Sequence, residues 1–494
     1  MGDSNSAANG GEFAALDQQG ISKFQLKIMF VSGMGFFTDA YDLFVIGIVV
    51  SLLKTQWTMS TNQVSWLNSA TLLASAVGAI VFGRVADMLG RKRIYGYEVL
   101  ILAGGAIASA FAPNYTFLLI CRIILGIGIG GDYPVSATIM SEYSGKQSRG
   151  RMVGLVFAMQ GVGLIVGPLL ASILLASGLS NNITWRLLLG LGAIPGLAVF
   201  YLRRQIHETP RFAMAGGAAD EAQAAIAAAT VGSGSGRTGG TATADGTATV
   251  TTAQESKARN SQGVADGYLK LLRNRRLMIW LFGTAVGWLL LDFCYYGNTI
   301  SAPEILKLIN PHASLLENTL IQLGIFAVFA VPGYIVAILL LDKTGRRSIQ
   351  ILGFGMMALM FLLIGLVPAI AKHVLPFVLL YGVSYFFTEF GPNTTTFIYP
   401  AELFPVDVRT TSHGISAGAG KLGAFAGAFL FPDFLAVTLG LNRAMLIAGI
   451  VAAAGMLLTI ATLPEPKGMS LEQIEEQAHA PEPARLRVRP EPAT

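Results

Sequence analysis

Apolar runs of about 18 to 25 residues recur along the chain, each long enough to cross the roughly 30 Å hydrocarbon layer of a bilayer as an α-helix. Twelve such helices are predicted. The first six are Phe24–Leu53, Val64–Val85, Ile94–Ala112, Tyr115–Met140, Met152–Leu175 and Trp185–Arg203. The second six are Leu277–Ile300, Asn318–Leu341, Ile349–Ile370, Val374–Pro400, Ser412–Thr438 and Asn442–Leu463. Between the sets lies a hydrophilic stretch whose middle, about Gly216–Gln262, is rich in Ala, Gly, Thr and Ser and cannot bury a core. The pattern predicts an all-α membrane protein with a disordered N-terminal tail (1–22), a six-helix bundle (23–204), a partly disordered linker (205–276), a second six-helix bundle (277–466) and a C-terminal tail (467–494).

Composition agrees with this division. Charged residues make up 13% of the chain, against about a quarter in soluble proteins. The net charge of +5 is small and scattered, which excludes a nucleic-acid footprint. The basic residues gather instead at particular helix ends: Arg84, Arg91, Lys92 and Arg93 after helix two, Lys146, Arg149 and Arg151 after helix four, and Lys343, Arg346 and Arg347 after helix eight. The opposite loops carry little beyond Lys54, Lys307, Lys372 and Arg443. Basic loops stay on the cytoplasmic side. Both termini and the linker are therefore expected there, in a multi-pass protein of the cell membrane. The stretch up to Gly20 lacks the basic region and cleavage site of a secretory signal, so the first apolar segment is expected to remain. Cys121 and Cys294 both lie in apolar runs, offering neither a disulfide framework nor a metal cluster. With no nucleophile–base set, metal-ligand spacing or nucleotide loop, neither an enzyme nor a cofactor is expected.

The halves are related. GRVADMLGRKR (Gly83–Arg93) recurs as LDKTGRRS (Leu341–Ser348), placing Asp87 and Asp342 255 positions apart. A glutamate seven residues ahead of an arginine occurs as Glu142/Arg149 and again as Glu402/Arg409, and HETPR (His207–Arg211) is echoed by PEPKG (Pro464–Gly468). Three echoes in one order indicate a fused pair of six-helix halves. The acid–base sets Asp87, Arg91, Glu142, Arg149 and Asp342, Arg346, Glu402, Arg409 lie at helix ends. They are expected to latch the halves in one state and release them in another, a bias of a few kcal/mol.

A charge at mid-bilayer costs at least about 2.5 to 3.5 kcal/mol, so each one needs a partner or a function. Asp39, Asp42, Asp132, Asp292, Glu389 and Lys421 fall inside predicted helices, whereas Arg122 is near an end and is expected to reach the headgroups. Asp39 and Asp42 share one helix face, where two carboxylates resist ionising together and one becomes a candidate proton carrier. Gly126, Gly128, Gly130 and Gly131 resemble a phosphate loop but lack its strand and its Gly-Lys-Ser/Thr ending, so helix packing is the expected use. Asp132 and Tyr133 have no such packing reason. Trp288, Asp292 and Tyr296 recur every fourth residue and stack along one face of helix seven. Gln160 and Asn393 add neutral donors.

GRVADMLGRK fits the G-x-x-x-D-x-x-G-R-K loop of the major facilitator superfamily at every fixed position, although the second copy has Ile338 where the leading glycine would be. HETPR, PEPKG and PAELFP (Pro400–Pro405) resemble the sugar-porter-related branch. FFTDAYDLF (Phe36–Phe44), GGDYPVSATIMSE (Gly130–Glu142), LLLDFCYYGN (Leu289–Asn298), FGPNTTTF (Phe390–Phe397) and GISAGAGKLGA (Gly414–Ala424) resemble the phosphate:proton symporters of plants and fungi. That resemblance implies a major facilitator fold and proton-coupled import of inorganic phosphate by alternating access. It places phosphate on Tyr133, Gln160, Trp288, Asp292, Tyr296 and Asn393, and proton handling on Asp39, Asp132 and Asp292 with Lys421 nearby. It implies phosphate, protons and the bilayer as partners, and it leaves the oligomeric state open. Glu389 departs from the family's asparagine and is open to three readings, an extra proton acceptor, a salt-bridge partner for Lys421 or a sign of altered substrate, of which the pairing with Lys421 is the expected one. The alternatives to a phosphate carrier are an organic-anion or sugar porter, against which GGDYP and FGPNTTTF argue, and a phosphate-sensing receptor, for which no signalling domain is recognisable.

Overall fold

The computed structural model describes residues 13, 16–17, 20–230, 269, 271–431 and 438–479. Among the described residues, twelve long helices, numbered α1 to α12, run in two sets of six. They are α1 Lys23–Gln56, α2 Thr61–Leu89, α3 Tyr97–Ala110, α4 Tyr115–Tyr143, α5 Arg149–Ala176 and α6 Asn181–Arg204, then α7 Arg275–Ile300, α8 Leu315–Thr344, α9 Arg346–Leu366, α10 Val374–Leu403, α11 Arg409–Leu430 and α12 Leu441–Thr462. The expectations for linker residues 231–262 and for the tail after residue 479 lie outside the described residues.

Local chemistry explains where the observed ends depart from the apolar pattern. Ser22, Ser60 and Ser314 form capping boxes with Gln25, Gln63 and Glu317, so α2 and α8 begin in polar turns ahead of their first hydrophobic residues. Gly96, at φ 110°, starts α3 later than expected. The Ala-rich Ala219–Thr230, inside the stretch expected to be flexible, is a helix, in keeping with the high helix propensity of alanine. Leu471–His479 is also helical and buries Leu471, Ile474 and Ala478.

Ten of the twelve helices are long and apolar enough to span a bilayer by composition; α3 and α11 are the exceptions. In α11 the low hydropathy follows from its position. Gly414 lies against Ala79 and Gly83 of α2, while Gly423 and Gly427 lie against the Leu289 and Phe293 carbonyls of α7. Small residues let backbones approach where van der Waals packing has to replace a hydrophobic drive.

The internal repeat is visible in three dimensions. Gly90 and Gly345 end α2 and α8 at φ 96° and 97°, and a Cβ on either would strike Glu208 or Glu465. Glu208 accepts from Lys92 N at 3.2 Å, and Glu465 accepts from Arg346 N and Arg347 N at 3.1 and 2.9 Å. Each glutamate thus satisfies free N–H groups at the start of the next helix. The glycine missing at Ile338 is supplied from across the contact, where Gly154 of α5 leaves its Cβ position 3.9 Å from Ile338.

The halves meet along α2–α11 and α5–α8, and they are joined at both ends. On the face carrying the repeated loops, Asp87 accepts from Thr410 N (3.3 Å) and Thr411 N (2.6 Å), and Arg409 pairs with Glu142 at 2.8 Å. Arg91 bridges Asp87 (3.0 Å), Glu142 (3.4 Å) and the Val406 carbonyl (2.9 Å). Asp342 accepts from Arg151 N at 3.0 Å, and Arg346 pairs with Asp342 (3.1 Å) and Glu402 (2.8 Å). Arg149 breaks the symmetry by turning to the Met469 carbonyl (3.2 Å) and Asp17 (3.8 Å). Beside it, Arg211 binds Glu472 at 2.9 Å. Burial pushes the Glu472 carboxyl up, but Arg211 outweighs it and leaves the group at about 2. On the opposite face, Trp66 of α2 packs on Phe425 and Phe429 of α11 at 5.9 and 5.4 Å, and Gly47 of α1 abuts the Ile300 carbonyl. Among the described residues the halves are thus in contact at both ends of the seam.

Candidate functional site

Midway along the seam, α11 drives a lysine into the core. Lys421 is 1% exposed, and its ammonium donates to Tyr296 Oη at 2.7 Å and Tyr133 Oη at 3.1 Å. Its Nζ lies over both phenol rings, 4.2 and 4.4 Å from their centroids, and 3.6 Å from Asp292 Oδ2. Neither Asp292 oxygen makes a hydrogen bond shorter than 3.5 Å.

Neutral donors extend the network across both halves. Gln160 Nε2 donates to Tyr133 Oη at 2.9 Å, Tyr334 Oη donates to Gln160 Oε1 at 3.2 Å, and Asn393 Nδ2 donates to Tyr334 Oη at 2.9 Å. Trp288, seated against Gly420 where a Cβ would collide with the indole, places its ring 6.0 Å from Tyr133. All six residues expected to hold phosphate are thus in one cluster. The first half supplies Tyr133 and Gln160; the second supplies Trp288, Asp292, Tyr296, Asn393 and Lys421.

Aromatic layers close the cluster above and below. Toward the latch, Phe36 and Phe157 of the first half meet Phe397 of the second at 4.9 and 4.5 Å, with His413 5.3 Å from Phe397. Toward the other face, Phe44 stacks on Tyr296 at 5.4 Å and meets Tyr295 edge-on at 5.6 Å.

Two helix kinks shape this region. In α10 the turn Glu389–Asn393 is wound as a π-helix, with Gly391 at non-helical φ −104° and ψ −109° and Pro392 beside it. The backbone group freed there is satisfied by Thr394 Oγ1, which donates to the Glu389 carbonyl at 2.6 Å. Gly353 of α9 faces Gly391 and Pro392, and only glycines allow that approach. A second π-turn, Phe326–Ala330, precedes Pro332 in α8 and the Tyr334 turn.

A separate charged cluster sits in the first half. Arg203, on the latch end of α6, reaches inward to clasp both oxygens of Asp132 at 2.9 Å and pairs with Glu98 at 2.9 Å. Ser136 donates to Asp132 at 2.5 Å, and the Arg203 guanidinium lies 4.6 Å from the Tyr95 ring centroid. A Cβ on Gly35 of α1 would strike both Asp132 and Arg203, so glycine is what lets α1 pass this pair. Asp39 is fully buried, accepts no hydrogen bond, and lies in the electrostatic field of Asp132, Arg203 and Lys421.

Two expectations are corrected. Arg122 does not reach the headgroups: it is 0% exposed and donates to Thr71 Oγ1 at 3.1 Å and the Asp42 carbonyl at 2.8 Å. Its guanidinium offers Asp42 a nearby positive charge inside the bundle, and the break of α6 at Gly192 leaves space for the Asp42 carboxylate. Lys421 does not pair with Glu389, because Asp292 on α7 holds it instead. Glu98, Arg203 and Tyr334 are site-region residues that the sequence reading missed. Glu98 was legible by the rule that flagged the aspartates, since it is a charge inside predicted helix three. Arg203 resembles any basic helix end, and Tyr334 is one aromatic in an apolar span.

Two six-helix halves enclosing a buried, charged, two-sided site define a membrane transporter of major facilitator architecture. The chain belongs to the sugar (and other) transporter family, whose sequence pattern matches residues 28–478. It is 35% identical to inorganic phosphate transporter 1-11 of Oryza sativa subsp. japonica over 96% of this chain and 91% of that one. Identity is 34% to probable inorganic phosphate transporter 1-6 of Arabidopsis thaliana, over 93% and 95% of the two chains. It is 33% to low affinity inorganic phosphate transporter 1 of Petunia hybrida, over 94% and 95%. The same fold occurs in the major facilitator proton:xylose symporter bound to 6-bromo-6-deoxy-D-glucose, at 20% identity and a TM-score of 0.74 over 92% of this chain and 99% of that one.

Proposed function

We propose that this chain is a proton-coupled symporter that imports inorganic phosphate across the cell membrane by alternating access, with both termini and the latch face cytoplasmic. One observation carries the reading: a desolvated Lys421, only loosely paired with Asp292, among phenol and amide groups from both halves. The names of the relatives point to the same substrate.

In this reading the site selects its anion by the anion's protons. Phosphate near neutral pH still carries one or two protons. It can donate to ionised Asp292 while accepting from Lys421, Tyr133, Gln160, Trp288, Tyr296 and Asn393. Sulfate has no proton to donate and meets Asp292 as an unrelieved like charge. Asp292, Asp39 and Asp132 handle protons in this reading, with Lys421 relaying their charge to the anion. The acid–base sets at the helix ends gate the inner face in this reading: Asp87, Arg91, Glu142 and Arg409 join the halves on one side, Asp342, Arg346 and Glu402 form the counterpart, and Arg149 ties the same face to Asp17 and the Met469 carbonyl.

Competition tests the reading. In vesicles containing the purified protein, arsenate is expected to inhibit uptake of labelled phosphate, and sulfate at the same concentration to leave it within about twofold of control. Sulfate competing as well as arsenate would sink the proposed role of Asp292.

A further inference from the structure

A second carboxylate touches the candidate anion site, and its surroundings differ from those of Asp292. Glu389 of α10 is 0% exposed. Its Oε2 accepts from Asn393 Nδ2 at 2.5 Å, and its Oε1 has no hydrogen-bond partner. No Lys, Arg or His forms an ion pair with it among the described residues, since Lys421 is taken by Asp292, Tyr133 and Tyr296. The groups that face it are Tyr334 and Gly333 of α8, Tyr295 and Asp292 of α7, and Tyr385 of its own helix. Four of these are neutral or phenolic, and the one charged neighbour, Asp292, is itself negative.

An ionised carboxylate in such a place has only hydrogen bonds to offset its desolvation, so proton binding is its cheapest relief. Its contact with Asn393 links that proton to the substrate. While Glu389 is ionised it holds the Asn393 amide N–H, which is one of the donors the anion needs. Once protonated, Glu389 no longer competes for that N–H and no longer repels an arriving anion. Proton and anion then favour each other's binding, as reciprocal linkage requires.

Hydroxyl groups stand between Glu389 and the face opposite the latch. The partnerless Tyr295 hydroxyl lies beside Glu389, and further toward the face opposite the latch stand Tyr385, 2.9 Å from Thr299 Oγ1, and Tyr381, 3.4 Å from Tyr385 and 3.0 Å from the Asn298 carbonyl. A cavity of about 10 Å³ lined by Tyr295, Asn298, Tyr385 and Thr388 has room for about one water. The unpartnered Asn298 Oδ1 is a polar atom for that water to bind. With a water there, each hydroxyl would pass one proton on as it receives one, leaving the ladder unchanged and Glu389 Oε1 protonated.

We propose that Glu389 is a further proton-binding group of the transport cycle, which takes up a proton with the anion and acts on it through Asn393. This rests on the phosphate reading above. The test combines two measurements. In vesicles, Glu389→Gln is expected to keep transporting phosphate while the slope of log KM against external pH falls by about one relative to wild type. Glu389→Asp is expected to restore the slope. Separately, infrared spectra of the substrate-free protein recorded as the pH is lowered should show the carbonyl band of a protonated carboxylic acid growing in wild type that is lost in Glu389→Gln and displaced in Glu389→Asp. Equal pH slopes in wild type and Glu389→Gln, or spectra without that band difference, would overturn the proposal. If wild type carries no phosphate at any pH, the functional reading fails on its own, and the substrate-free spectra still decide whether Glu389 holds a proton.

Discussion

Lys421→Ala is expected to lower phosphate uptake by about 100-fold or more, with protein still present in the membrane. Removing one partner of a buried ion pair costs about 3–5 kcal/mol, because the remaining charge stays desolvated and unpaired. Here the orphan would be Asp292, whose oxygens already lack hydrogen bonds. Truncating one partner of a buried charge contact also costs about 2–5 kcal/mol of binding, and at about 1.4 kcal/mol per tenfold about 3 kcal/mol of that removes two orders of magnitude from anion affinity. Two further donations, to Tyr133 and Tyr296, disappear with the lysine. Lys421→Ala combined with Asp292→Asn is expected to recover thermal stability but not transport, because the lost cation is what attracts phosphate. Initial uptake rates and melting temperatures of the single and double variants check both halves of the prediction. Near-normal uptake in Lys421→Ala would mean that the anion sits elsewhere.

The second large effect belongs to a residue outside the anion site. Arg203→Met is expected to destabilise the first half by about 3–5 kcal/mol, because it strips the cation from both Asp132 and Glu98. Two uncompensated carboxylates would then share one buried space in addition to Asp39. Methionine keeps much of the volume beside Tyr95, so the loss is one of charge. Adding Asp132→Asn and Glu98→Gln is expected to return most of the stability. Thermal unfolding of detergent-solubilised protein measures it, and an unchanged melting temperature in Arg203→Met would show that the cluster is already neutral.

Much of this molecule was legible before folding. Twelve apolar runs locate the helices because a bilayer leaves a chain few other ways to satisfy its backbone. The intramembrane charges mark the site because each is too costly to be idle. The i, i+4 stripe Trp288, Asp292, Tyr296 lies on one face of α7 as helical spacing demands. What the sequence withheld is pairing between elements. Lys421 had Glu389 as its candidate partner, and only the register of α11 against α7, set by Gly423 and Gly427, places it beside Asp292 instead. Likewise the glutamate–arginine echo is local in sequence, yet Glu142 pairs with Arg409 from the other half. Arg122 was misplaced because depth in the bilayer depends on where a neighbour's carbonyl lies, here that of Asp42.

The central claim is that protons drive phosphate through a site between the two halves. Uptake of labelled phosphate into sealed proteoliposomes, with and without an imposed pH gradient acid outside, tests it most directly. The account predicts accumulation above the external concentration only with the gradient, and collapse of that accumulation when a protonophore is added. Phosphate equilibrating at the same rate and to the same level with and without the gradient would contradict it.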